Sequence, residues 1–236
     1  MKLLVVAAWE PELTRVRERL AVAPPGIELA LGILGVGLVE ASIAMTQCVT
    51  REQPTAALLL GTCGSFGAAH PVGSVVSGAR VRLVDASVVD GTAALPGPMP
   101  ADAVFDPGLH DALVGAGARS VQIANTVGIT TDDALAARLA RVPSVGAGTG
   151  TGTGTGAGTA PDVEHLEAFA FARACAVASI PCAAALGVAN VVGSKGRAEW
   201  LAGHERASDA AADVAWRALG AIITSLANAR RPTTAR

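Results

Sequence analysis

Glu167 lies beside Leu166, Phe169 and Ala170, and three residues after Glu164. On a helix that spacing points both acids roughly one way, with the apolar neighbours placing Glu167 at the edge of a buried face. A carboxylate there is costly unless paired, and a ligand hydroxyl is a natural partner; solvent exposure is the alternative reading. Asn190 follows the apolar run Ala183 to Ala189. Its amide can donate to a ring nitrogen or accept from a ring N–H, although a bare Asn also serves as a turn former. Glu10 and Glu12 come just past Leu3 to Ala8, at a strand end where open α/β sheets build their sites. Acidic residues in a first helical turn also complement the helix dipole, which is their plainer reading.

Other patterns carry less. Gly32, Gly35 and Gly37 follow a strand but read G-x-x-G-x-G, so the dinucleotide fingerprint fails and no nicotinamide or flavin cofactor is expected. His70, His110, His165 and His204 lack a metal-ligand spacing and read as surface or loop residues. Cys48, Cys63, Cys175 and Cys182 show no C-x-x-C pair, so neither a metal site nor a disulfide framework is implied, and reduced thiols in a cytoplasm fit best.

The elements that must position these residues alternate. Strands are expected over Leu3–Ala8, Ile27–Leu34, Ala56–Leu60, Gly73–Val84, Ala86–Val89, Val121–Ile129 and Cys182–Ala189. Helices are expected from Pro11 to about Leu20, from Leu38 to about Thr50, and from about Thr131 to Arg141 with Thr130 or Thr131 as cap. Further helices should run from Glu164 to about Ser179 and through much of Gly203 to Ala227. Gly61-Thr62-Cys63-Gly64 should end the third strand, and the Pro-rich stretch Leu95 to Asp102 should be a loop. Strand and helix in alternation predict an α/β fold, a three-layer αβα sandwich about a central mixed sheet.

At 236 residues the chain can bury a sizeable core as one domain. Its glycines and threonines between Gly146 and Pro161 should form a mobile loop. The formal net charge is −2, without long charged runs, which excludes nucleic acid and charged membranes as partners and favours a small molecule. The uncharged stretch Ala174 to Ser194 matches a membrane span in length, but Pro181 and Asn190 interrupt it, so no span is expected.

Taken in order, these features resemble the nucleoside phosphorylase superfamily, in particular its nucleosidase branch, over nearly the whole chain. AAWEPEL resembles the strand-end Glu cluster of methylthioadenosine and adenosylhomocysteine nucleosidases, and GVGLVEASIA their G-x-G-x-x-x-A turn. LLLGTCGSFGAAHPVGSVV resembles their glycine-rich turn and V-G-D-V strand, with Ser74 in place of Asp. EHLEAFAFARACAVASIPCAAALGVAN resembles their Met-Glu-Gly or Met-Glu-Ala segment, with Leu166 in place of Met. Two runs are similar to futalosine hydrolases of menaquinone biosynthesis: ANTVGITTDDALAARL to N-T-V-T-G, and ANVVGSKGRAEW to S-N-x-V-G-x-R-D-x-x-W.

The resemblance implies hydrolysis of a purine N-glycosidic bond in a 5′-modified nucleoside, without metal or organic cofactor, by a homodimer. It implies Glu12 as the residue that activates water, Glu167 as the holder of ribose hydroxyls and Asn190 as the contact to purine N7. Leu166, Cys63 and Gly64 would line the nucleoside, and Phe169 would stack on the base where relatives use an aromatic residue in the region of the Gly/Thr tract. Asn190 cannot act as a true general acid, and suits a 6-oxopurine better than adenine. Leu58 to Leu60 stand where phosphorylases carry an Arg, so water is expected as acceptor rather than phosphate. A phosphate-dependent phosphorylase and a non-catalytic nucleoside-binding relative are the alternatives.

Overall fold

The computed structural model describes residues 1–19, 24, 26–142 and 160–229. The Gly/Thr tract therefore lies almost wholly outside the described residues, as does Leu20, the expected end of the first helix.

The first half of the chain opens with β1 (Lys2–Ala7), a short 3₁₀ turn Glu10–Leu13 and α1 (Thr14–Arg19). β2 (Glu28–Ile33), α2 (Leu38–Glu52), β3 (Ala56–Ser65) and β4 (Val75–Leu83) follow. Gly35 and Gly37, both at positive φ, make the exit from β2 into α2. α3 (Ala86–Val89), β5 (Asp102–Val104), α4 (Pro107–Gly115) and β6 (Arg119–Asn125) come next. The second half then supplies α5 (Asp133–Leu139), β7 (Val163–His165), α6 (Ala168–Val177), β8 (Cys182–Val191) and α7 (Gly196–Ala229).

The described strands form one mixed eight-stranded sheet with helices on both faces, as the alternation predicts. β1 runs parallel to β2 and β3, β3 parallel to β8, and β8 antiparallel to β4. β4 runs parallel to β6, β6 parallel to β7, and the end of β7 pairs back onto the end of β3. The middle of the sheet thus curls into a ring of five strands, and the residues at the ends of β3, β7 and β8 are drawn together. Alternation along the strands splits the core in two. Leu4, Val6 and Leu59 face α2 and α6, while Leu3, Val5, Leu58 and Leu60 face α1, α4 and α7.

Several elements depart from expectation for local reasons. Ala86–Val89 is a helical turn, because the Asp85 side chain accepts from Ser87 N and Val88 N. The cap of α5 is Asp132, accepting from Leu135 N, rather than Thr130 or Thr131. Gly61 to Gly64 do not turn; they continue β3 alongside β8, with a shift of register between Cys63 and Gly64. Glu164 and Glu167 do not share a helix, since Glu164 lies in β7 and Glu167 is the residue before α6. β5 and α4 were not expected, although Asp106-Pro107 is a helix start: Asp106 accepts from Leu109 N and Pro107 takes the first position.

α7 is long and apolar enough to cross a membrane by composition, yet its Ala207, Ala211, Val214, Ala218 and Ile222 are buried against the sheet and α4. Ala174 to Ser194 divides between the end of α6 and β8, so no helix spans it. The four cysteines are buried free thiols.

Candidate functional site

Among the described residues a cavity of about 200 Å³ opens beside the carboxyl ends of β1, β3 and β8, well above two others of about 10 and 20 Å³. Its size and position make it the place where a small molecule would bind.

Glu12 reaches it from the 3₁₀ turn after β1. One carboxylate oxygen accepts from Trp9 N at 3.2 Å, as a helix-start acid does. The other oxygen accepts from Thr62 N and Thr62 Oγ1, both at 3.1 Å. Gly61 permits this approach, because a Cβ there would lie 3.0 Å from Glu12 Oε1. Burial pushes the Glu12 carboxyl up to about 7, with a smaller upward push from Glu167 and opposing pulls from Trp9 and Thr62. Its neighbour Glu10 turns outward and pairs with Arg17 at 2.9 Å, clear of the cavity.

Glu167 enters from the start of α6. Its Oε1 accepts from Gly37 N at 2.7 Å, which ties α6 to the start of α2. Its Oε2 lies 3.2 Å from His165 Nδ1. That contact is not an ion pair: Glu167 N and Ala168 N both donate to the same nitrogen, at 3.0 and 3.1 Å, so Nδ1 carries a lone pair. Burial also pushes the His165 pKa down, which keeps the ring neutral. Glu167 Oε2 therefore faces the cavity without a strong partner, suited to a hydroxyl donor.

Asn190, the second-to-last residue of β8, lies beside Gly64 and Gly196; its Nδ2 spends one hydrogen on Val191 O at 3.0 Å, leaving Oδ1 and a second N–H. Cys63, Gly64 and Leu166 line the same cavity. Burial in the core pushes the Cys63 thiol far up, so it contributes shape rather than a nucleophile.

Phe169 is the exception among the expected residues. It packs into the core between sheet and helices, its backbone N–H donating to Asn125 Oδ1 at 2.8 Å, and does not line the cavity. The aromatic wall comes instead from Trp9 and Trp200, ring centroids 6.0 Å apart, with His204 stacked on Trp200 at 4.2 Å. Sequence reasoning missed both tryptophans, although each sits inside a quoted motif and the chain has only three. It also missed Thr62 and His165, and singled out Glu164 without giving it a role, although all three line the cavity.

The histidines are not all surface residues. His165 is buried in β7, and His110 is buried between Ser77 and Ser120, each hydroxyl 2.9 Å from a ring nitrogen. Among the described residues no cluster of three or more His, Cys, Asp or Glu could hold a metal ion. Arg197 is the only cationic residue lining the cavity among those described, and its guanidinium lies over the Trp200 ring, 5.2 Å from the centroid.

No family model and no curated protein sequence matches the chain. Solved structures match over nearly its full length. A 5′-methylthioadenosine/S-adenosylhomocysteine nucleosidase from Colwellia psychrerythraea 34H, in complex with adenine, shares 19% identity at a TM-score of 0.78, covering 94% of this chain and 95% of that one. A futalosine hydrolase mutant of Helicobacter pylori shares 14% at 0.76, covering 93% and 99%. A Neisseria meningitidis nucleosidase in complex with methylthio-immucillin-A shares 19% at 0.75, covering 92% and 98%. At these identities the likeness is one of fold, which the chain shares with these nucleosidases and this futalosine hydrolase.

Proposed function

We propose that the protein is a purine nucleosidase that cleaves the N-glycosidic bond of a 5′-modified nucleoside with water, in the manner of futalosine hydrolase. The observation that carries this reading is the convergence of Glu12, Glu167 and Asn190, from three separate elements, on one cavity at the strand ends.

In this reading Glu167 Oε2 accepts from the ribose hydroxyls and Glu12 takes a proton from water, whose oxygen attacks C1′. The C1′–N9 bond breaks with its electron pair leaving on the base. Positive charge grows on the sugar between two buried carboxylates, which stabilise it. Asn190 donates to N7 of the departing base, which takes up a proton as the one on Glu12 returns to solvent. A base whose carboxyl titrates near 7 divides between acceptor and acid forms at neutral pH, as this cycle requires. Trp9 and Trp200 supply apolar surface for the base or the 5′ group.

Water is favoured over phosphate as acceptor because the lining offers Arg197 alone, exposed and engaged with Trp200. A homodimer is proposed with it: Val36 and Ile129 belong to the cavity rim and are 62% and 54% exposed, and Val39 and Ile43 continue the apolar surface along α2. A second copy seated there would close the rim, and light scattering reads the mass directly.

The test is chromatographic detection of free base from futalosine, aminodeoxyfutalosine, methylthioadenosine, adenosylhomocysteine and inosine, with and without phosphate. Release without phosphate is expected, fastest from futalosine. Strict phosphate dependence would make the protein a phosphorylase, and binding without release a non-catalytic relative.

A further inference from the structure

The cavity holds a third carboxylate to which the reaction above gives no work. Glu164 is 7% exposed and lines the cavity from β7. In the sheet it stands directly across Gly64 of β3, and Asn190 of β8 stands across the same Gly64 from the other side. Paired residues on neighbouring strands project to one face, so Glu164, the bare Gly64 backbone and Asn190 form a row. Two strand spacings, about 9.6 Å, separate the outer backbones. A Cβ on Gly64 would lie 3.0 Å from Asn190 Nδ2 and 2.8 Å from Val192, so glycine here is what lets the Asn190 amide lie against β3.

Glu164 is held as an acceptor. Its Oε1 receives the hydroxyls of Thr126, at 3.1 Å, and Thr130, and its Oε2 receives Thr130 N at 3.3 Å. A backbone N–H cannot reverse its role, and a carboxylate has about four lone-pair sites. At least one therefore remains for a ligand donor, in a setting otherwise shaped by Ile129 and Leu166.

Resting on the purine nucleosidase reading, we propose that Glu164 determines which base is accepted, by taking the N1–H of a 6-oxopurine that lies on Gly64 with its N7 edge at Asn190. Adenine presents a lone pair at N1, and a buried acceptor facing a lone pair loses its hydrogen bond while remaining desolvated. Burial raises the Glu164 carboxyl above its ordinary value, and the threonine donors offset only part of that rise. A neutral Glu164 would instead donate to N1 of adenine, so the direction of the preference is itself a test.

The experiment compares kcat/KM for 5′-methylthioinosine and 5′-methylthioadenosine, which differ only in the base, and titrates hypoxanthine and adenine by calorimetry. Wild type, Glu164→Gln and Glu164→Asp are used, each checked for folding by thermal melting. Wild type is expected to prefer the 6-oxo member by at least about 100-fold in both assays. Glu164→Gln, whose amide can donate to N1 of adenine, should shrink that ratio at least tenfold while cleaving the 6-amino substrate no more slowly. Glu164→Asp should keep the direction of preference with weaker binding. A structural role would slow both substrates alike and leave the ratio intact, which overturns the assignment, as does a wild-type preference for adenine. Selective hypoxanthine binding without base release would retain Glu164 and overturn hydrolysis instead; binding of neither base overturns both.

Discussion

The indole N–H of Trp200 donates to Oγ1 of Thr62 at 3.1 Å, joining residues 138 positions apart. Thr62 Oγ1 in turn lies 3.1 Å from Glu12 Oε1. With one lone pair taken by the indole, the hydroxyl hydrogen is directed at the carboxylate, whose charged form it favours. Trp200→Phe keeps the ring and removes that donor. Its expected effect is a Glu12 midpoint shifted upward and a rate at pH 7 lowered about threefold, in line with one lost hydrogen bond. An unchanged midpoint in the pH profile would remove Trp200 from this relay.

Glu12 itself sets the main pH dependence. Its carboxyl sits at about 7, and only the ionised form takes a proton from water, so kcat/KM should rise with pH through about 7. Glu12→Gln should lower kcat/KM about 10²- to 10⁴-fold and flatten that limb.

The same shift carries a stability consequence with a definite sign. Between about 4.5 and 7 the folded chain retains a proton on Glu12 that the unfolded chain has lost. The contribution is therefore fully present below 4.5 and disappears as pH rises through 7. Glu12→Gln, uncharged throughout, should gain on wild type by up to about 3 kcal/mol between pH 4.5 and 8. Parallel urea titrations at the two pH values read that difference.

Glu167→Gln should reduce kcat/KM on a ribonucleoside about 100-fold, as loss of charged hydrogen bonds to two hydroxyls predicts. On a 2′,3′-dideoxy analogue the same substitution should cost far less, because the partners it served are gone. Equal losses on both substrates would place Glu167 outside ribose recognition.

Gly187→Ala probes the seam between β8 and α7. A Cβ at Gly187 would lie 2.0 Å from the carbonyl oxygen of Ala207, and backbone on both sides cannot step aside. A loss of about 3 kcal/mol or more is expected in thermal or urea unfolding.

Much of the fold was legible because buried strands leave unbroken apolar runs. Leu3 to Ala8 and Ala183 to Ala189 announce β1 and β8, and the residues just past or ending them, Glu12 and Asn190, are candidates on that ground alone. Phe169 was misplaced because an aromatic residue on an apolar helix face reads alike whether it meets a ligand or the core. Packing against the sheet decided for the core. The strand β7 was read as helix because three residues are too few to show a period.

By itself the sequence determined which side chains could do chemistry and that strand ends would carry them, since residue type and local periodicity are properties of the chain. The tertiary structure alone decided which of them meet. Two tryptophans nearly two hundred residues apart share a wall of the cavity, and Glu164 and Asn190 face each other across Gly64. These pairings depend on strand order and register, which no local stretch encodes. The rise of Glu12 to about 7 has the same origin, because burial is made by the neighbours that folding brings and not by the residue.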